Sequence, residues 1–168
     1  MTSGRVRTIG SAVVGICIGA VVLHAPAGAG DGGRPFSVAL SGANEFNATG
    51  APINPHGDAD HGSIKLTLNP GQEEVCWAVG AITLTAGEAL PHLAHIHEAP
   101  AGVAGPVVID LFGGTAAVPP PTSYPTDTVC VHADRAQIIE VLHDPSSYYV
   151  NLHNAQHPAG VMRGQLGK

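Results

Sequence analysis

Short runs in which apolar and polar residues alternate recur along this chain, and such alternation is typical of a half-buried β-strand. Residues 64–68 and 75–79 both show it, and the Asn-Pro-Gly-Gln segment between them is typical of a turn, so the two runs predict a hairpin. Loops are predicted at 44–60 and at 113–125, which contains three consecutive prolines. Further strands are predicted at 36–40, 93–97, 106–112, 128–132, 148–153 and 161–166.

One short helix is predicted before the last two strands. Asp134 can cap its first turn, and Pro145 follows its end. At helical spacing its apolar face comprises Ile138, Val141 and Leu142. Seven or eight short strands and a single helix predict an all-β fold, an antiparallel, Greek-key-like β-sandwich.

The N-terminus has the pattern of an export signal. Arg5 and Arg7 precede an apolar stretch at 9–23, and Ala-Gly-Ala at 27–29 is a small-x-small cleavage pattern. The alternative is an uncleaved anchor, but the stretch is short for a membrane span and no basic cluster follows it. We expect a secreted or extracytoplasmic protein without a membrane span after cleavage, with a signal peptide at 1–29, a flexible lead-in at 30–35 and one domain at 36–168.

The predicted mature chain is acidic. Loss of Arg5 and Arg7 leaves five of the seven Lys and Arg residues against thirteen Asp and Glu. A phosphate-binding surface needs clustered basic residues, so this balance argues against a nucleic-acid partner and is compatible with a cation. The sequence contains no Gly-x-Ser-x-Gly motif and no phosphate-binding loop, so nothing indicates hydrolase or nucleotide chemistry.

Two cysteines, Cys76 and Cys130, remain after removal of the predicted signal, which contains Cys17. In an oxidising compartment the simplest interpretation is one disulfide, and the alternative is two separate buried thiols. The absence of a Cys-x-x-Cys motif argues against a thiol redox role.

Two histidines two residues apart, His95 and His97, project from the same face of a predicted strand. His153 ends a later strand, and if the two strands are neighbours it approaches the pair. Three imidazoles in that arrangement form a compact site for copper, zinc or nickel. The alternative is a polar face, because ten histidines make chance spacings common.

Other histidines give weaker signals. His157 lies in the turn after His153 and can swing toward the same site, whereas His92 falls on the opposite face if its strand continues regularly. His56 and His61 flank an acidic, glycine-containing segment that predicts a solvated loop or a weak divalent-cation site.

Polar residues on the last strands are candidates for supporting roles. Asn151 and Gln165 are predicted to hydrogen-bond the imidazoles and fix their tautomers. Arg163 is predicted to be a structural clamp on a buried acid such as Glu98 or Asp110, the alternative being ligand recognition.

Several short motifs follow one another along the chain: Val75-Cys76-Trp77, residues 94–98, 101–102, 105–108 and 148–153, and Arg163-Gly164-Gln165-Leu166. In this order they resemble the CHRD domain, which is named for its repeats in chordin and also occurs singly in exported bacterial proteins. The resemblance implies a β-sandwich, a cysteine on each side of the His-x-His strand, and an extracellular binding or structural module without known catalytic residues.

The three histidines also resemble the copper ligands of copper–zinc superoxide dismutase, a Greek-key sandwich with a His-x-His strand and a later strand-end histidine. That resemblance implies that His95, His97 and His153 bind copper. The enzyme's bridging histidine, zinc-binding loop and active-site arginine have no counterpart in matching context. Two hypotheses follow: a secreted binding or structural module without catalysis, whose partner is an extracellular protein, and a copper carrier, sensor or weak redox enzyme.

Overall fold

Eight antiparallel strands form one sheet that is nearly closed on itself. The structure is a computed structural model that describes Met1 and residues 33–53, 59–112, 123–124 and 127–167. The predicted signal peptide, apart from Met1, and most of the proline-containing loop lie outside the described residues.

The strands follow one another along the chain, with helix α1 (Arg135–His143) between the sixth and the seventh. Short 3₁₀ turns lie at Gly42–Asn44 and Pro145–Ser147. The strands are β1 (Arg34–Ser41), β2 (His61–Asn69), β3 (Glu74–Thr83), β4 (Leu93–Glu98), β5 (Val107–Asp110), β6 (Val129–His132), β7 (Tyr148–His153) and β8 (Met162–Gln165).

The strand order across the sheet is β5-β4-β7-β8-β1-β2-β3-β6. Hairpins join β1 to β2, β2 to β3, β4 to β5 and β7 to β8. The pairings β4–β7, β8–β1 and β3–β6 connect strands that are distant in sequence. The predicted all-β antiparallel fold with one short helix is therefore confirmed.

Strand β1 begins at Arg34, inside the segment predicted as a flexible lead-in at 30–35. Arg34 and Pro35 pair with Leu68 and Thr67 of β2. The Arg34 guanidinium also lies 5.0 Å from the centre of the Phe36 ring. Backbone pairing thus extends the strand two residues beyond the alternating pattern.

The central strand β7 is buried along its whole length. One of its faces belongs to the hydrophobic core, with Tyr148, Val150 and Leu152. The other face carries Tyr149, Asn151 and His153, which are buried as well. This second face points away from the core, so its burial requires loops that pack over it. The loops and the polar side chains of this face together form a polar layer outside the sheet.

Helix α1 packs Ile138 and Val141 into the core, with Leu142 against its edge, as the sequence pattern predicts. Its N-cap is Asp134, whose side chain accepts a hydrogen bond from the Ala136 backbone at 2.7 Å. Within the described part of the chain, no helix is long and apolar enough to cross a membrane.

Replacing the cap by Asp134→Ala is expected to lower the free energy of unfolding by about 1 kcal/mol, because a first-turn N–H loses its acceptor. Urea unfolding measures the change. Asp134→Asn is the control, since asparagine caps as well as aspartate. Equal stability of the Ala and Asn variants would contradict the capping role.

A disulfide joins Cys76 to Cys130, which face each other directly across β3 and β6. The sequence interpretation of one bridge, rather than two free thiols, is confirmed. Because β6 is an edge strand, the bridge ties that edge to the interior of the sheet.

Candidate metal centre

The three predicted histidines meet on the outer face of β4 and β7. On β4, Ala94 and Ile96 point into the core, so His95 and His97 point out. The register places Leu93 opposite His153, which brings this third ring to the His95 end of the pair.

The imidazole rings converge. His95 Nδ1 lies 3.1 Å from His153 Nε2, and one nitrogen of each of His95, His97 and His153 lies within 4.8 Å of the others. Metal–nitrogen bonds near 2.0–2.1 Å put ligand nitrogens roughly 3.5 Å apart. Small side-chain rotations therefore suffice to close the three rings around one ion.

Backbone carbonyl groups determine which ring nitrogen of His97 and of His153 carries the proton. His97 Nδ1 faces the Gly105 carbonyl at 3.0 Å, and His153 Nδ1 faces that of Pro158 at 3.2 Å. Since a carbonyl oxygen can only accept, both Nδ1 atoms carry the proton and both Nε2 atoms present a lone pair. His97 Nε2 is buried and has no hydrogen-bond partner among the described residues.

The three imidazoles are held in the neutral form that binds metals. Burial lowers the pKa of His95 and of His97 below the usual value. Burial, reinforced by the charges of His95 and His97, lowers the pKa of His153 to about 4. Because a metal binds only the unprotonated ring, the cluster is ready for a cation at neutral pH.

A closed set of contacts orients His97. Its ring stacks on Tyr149 with centres 4.9 Å apart and planes at 12°. The Tyr149 hydroxyl accepts a hydrogen bond from the Gly105 N–H at 3.2 Å, and the Gly105 carbonyl faces His97. Glycine is needed at 105, because a Cβ there would collide with the Glu98 carbonyl.

Strand β8 fastens the loop that carries Gly105. Arg163 donates hydrogen bonds to the carbonyl groups of Val103 at 2.8 Å and Pro100 at 3.3 Å. Gln165 donates to Ala99 at 2.8 Å. The predicted clamp is thus a clamp on backbone carbonyls and not on Glu98 or Asp110. The carboxyl whose charge acts on Arg163 is that of Glu45, which opposes the lowering of the Arg163 pKa by burial.

Asn151 and Gln165 do not make the predicted hydrogen bonds to the imidazoles. Asn151 donates to Glu45 at 3.4 Å, and Gln165 bonds Arg163, Ala99 and Ser146. Backbone carbonyl groups of Gly105 and Pro158 orient the His97 and His153 rings instead. Every residue has a backbone carbonyl, so a sequence gives no sign of which one will take this role.

Glu45 is a buried carboxyl that the sequence pattern does not single out. It is 1% exposed, and burial raises its pKa to about 8 despite the charge of Arg163 and the hydrogen bond from Asn151. Its Oε1 atom and the Asn151 Oδ1 atom lack hydrogen-bond partners in the described structure. It lies in a loop predicted from glycine and proline content, where a glutamate suggests solvent exposure.

The other candidate histidines add no ring to the group of three within the described residues, although His92 lies beside it. His157 does not reach it, because its Nε2 pairs with Glu88 at 2.8 Å. His92 precedes β4, so the strand-face argument does not apply to it, but its backbone N–H donates to the His153 carbonyl at 2.9 Å and its charge acts to lower the pKa of His153. His61 is exposed and faces the Ala59 carbonyl at 3.0 Å, and His56 lies outside the described residues.

Fold and site together define a small, disulfide-bonded antiparallel β-domain with a buried histidine cluster on its outer face. The chain belongs to the CHRD domain family, whose model matches residues 36–166. No curated protein and no solved structure matches the chain significantly. The family and the disulfide are compatible with an extracellular protein.

Proposed function

We propose that this chain is an exported CHRD-domain protein that binds copper through His95, His97 and His153. The observation that carries the proposal is the convergence of three neutral imidazoles, one with a buried, unpartnered Nε2 atom. Copper is favoured because imidazole nitrogen is one of its usual protein ligands.

Three features support an extracytoplasmic setting. The N-terminus has a signal-peptide pattern, the Cys76–Cys130 disulfide needs an oxidising compartment, and the family is an extracellular type of module. A protein-binding module is compatible with the same fold. A groove beside β1 and β8, lined by both polar and apolar residues such as Asn44, Phe46 and Ala101, is a candidate surface for such a partner.

Copper titration of metal-free protein tests the proposal. We expect the wild type to bind one equivalent, and His97→Ala to bind at least about 100-fold more weakly, because His97 offers the preformed lone pair. Calorimetry or a competing chelator measures the dissociation constants.

His61→Ala is the matched control, since His61 is an exposed histidine that faces a backbone carbonyl outside the cluster. It should bind copper like the wild type. Equal copper affinity in the wild type and His97→Ala, or no copper binding by the wild type, would contradict the proposal. Preferential retention of zinc in competition would overturn the choice of metal.

A further inference from the structure

We infer that the three-histidine site binds Cu(I) in preference to Cu(II), and that the buried guanidinium of Arg163 sets this preference. The inference rests on the proposed copper function and adds the oxidation state of the ion. Arg163 acts here as a positioning residue that touches no ligand nitrogen, through its charge and through the loop that it holds.

The ligand set itself is uncharged. The cluster consists of three imidazoles and includes no carboxylate or thiolate in the described structure. Cu(II) favours a tetragonal site with four nitrogen or oxygen ligands. Three converging rings satisfy fewer of its positions, and they provide no negative charge to offset the second positive charge of the ion.

A cation is buried beside this neutral set. Arg163 is 2% exposed, and its guanidinium carbon lies 3.4 Å from the centre of the Tyr149 ring, on which His97 stacks. The carboxyl in its neighbourhood, Glu45, is kept protonated at neutral pH by its raised pKa. Because repulsion in a poorly screened site grows with the charge of the ion, the guanidinium disfavours Cu(II) more than Cu(I).

The negative charge of Asp110 opposes this effect. Asp110 lies opposite His95 on β5, and its charge acts to raise the pKa of that histidine. Asp110 is only half-buried, whereas Arg163 is almost wholly inaccessible, so solvent screens the aspartate more. The two groups provide charge variants with opposite expected signs.

The same guanidinium positions His97. By holding the carbonyl groups of Val103 and Pro100, Arg163 fixes the loop whose Gly105 carbonyl orients the His97 ring. Loss of the positioning role weakens the affinities for Cu(I) and Cu(II) together, whereas loss of the charge changes the ratio of the two affinities. The ratio of affinities therefore separates the two effects.

The test is to measure Cu(I) affinity against bicinchoninate under anaerobic conditions and Cu(II) affinity against glycine, near pH 7. The wild type should bind Cu(I) more tightly. Arg163→Met should lower the Cu(I)-to-Cu(II) affinity ratio at least about tenfold, which is about 59 mV for a one-electron couple. Arg163→Lys should keep most of the ratio while weakening both affinities, and Asp110→Asn should raise the ratio.

Each possible result either supports or contradicts the inference. Failure of the wild type to bind either ion removes the proposed function and, with it, this inference. If copper binds but the wild type favours Cu(II), or if Arg163→Met leaves the ratio unchanged, the inference alone is overturned. Should Arg163→Met fail to fold, Arg163→Gln takes its place, because glutamine removes the charge and keeps an amide donor for the loop carbonyl groups, and an unchanged ratio in that variant overturns the inference.

Discussion

Glu45→Gln is expected to stabilise the fold at pH 8.5 by on the order of 4 kcal/mol while leaving its stability at pH 4 nearly unchanged. Burial raises the pKa of Glu45 to about 8 in the folded protein, against 4.5 as the ordinary value. The folded chain therefore keeps a proton that the unfolded chain releases at a lower pH.

The direction follows from proton binding. Below pH 4.5 both states are protonated, so Glu45 contributes no pH dependence. Between pH 4.5 and 8 only the unfolded state is ionised, and the fold loses about 1.4 kcal/mol of stability per pH unit. Above pH 8 both states are ionised, and the loss of stability that Glu45 causes has reached its full size. Glutamine has nearly the same shape and no charge, so the variant avoids the penalty.

Urea unfolding of the metal-free, disulfide-bonded protein at pH 4, 6 and 8.5 measures the effect. The histidines are common to both proteins, so their contributions cancel in the difference. Glu140→Gln, on the exposed side of α1, is the control and should follow the wild type at every pH. Parallel stability curves for Glu45→Gln and the wild type would show that the buried carboxyl is ionised.

Much of the fold is encoded in local patterns. Alternation in residues 64–68 predicts β2, and the Asp134 cap with the spacing of Ile138 and Val141 predicts α1. The pairing of β4 with β7 is not local, since it joins Leu93–Glu98 to Tyr148–His153, which lies about fifty residues further along the chain. The sequence predicts a strand at 148–153, but it does not predict that both faces of this strand are buried.

The sequence identifies the histidines of the site but not their surroundings. His95, His97 and His153 are recognisable because strand periodicity places them on one face. The Gly105 carbonyl that orients His97 carries no side-chain signal, and Glu45 is brought in by a loop. The hydrogen-bond partners of Arg163 are likewise backbone carbonyl groups. The sequence therefore identifies Arg163 as a clamp, but the prediction that it holds a buried acid is wrong about its partners.

Removing the disulfide with the double substitution Cys76→Ala and Cys130→Ala is expected to cost about 4 kcal/mol of stability. The bridge spans 54 residues of sequence, and in the chain-entropy model a closed loop of that length restricts the unfolded state by this amount. For a domain of this size the loss is a large share of the total free energy of unfolding.

Urea unfolding with and without dithiothreitol measures it. The reductant should destabilise the wild type by a similar amount and leave the double variant unchanged, which separates the cross-link from the change of side chains. A loss below about 1 kcal/mol would mean that the unfolded chain gains little freedom when the bridge is removed.

The bridge joins β3 to β6, whereas β4 and β7 lie toward the opposite edge of the sheet. The folded double variant should therefore bind copper with the affinity of the wild type, because stability and the metal site depend on different parts of the same sheet.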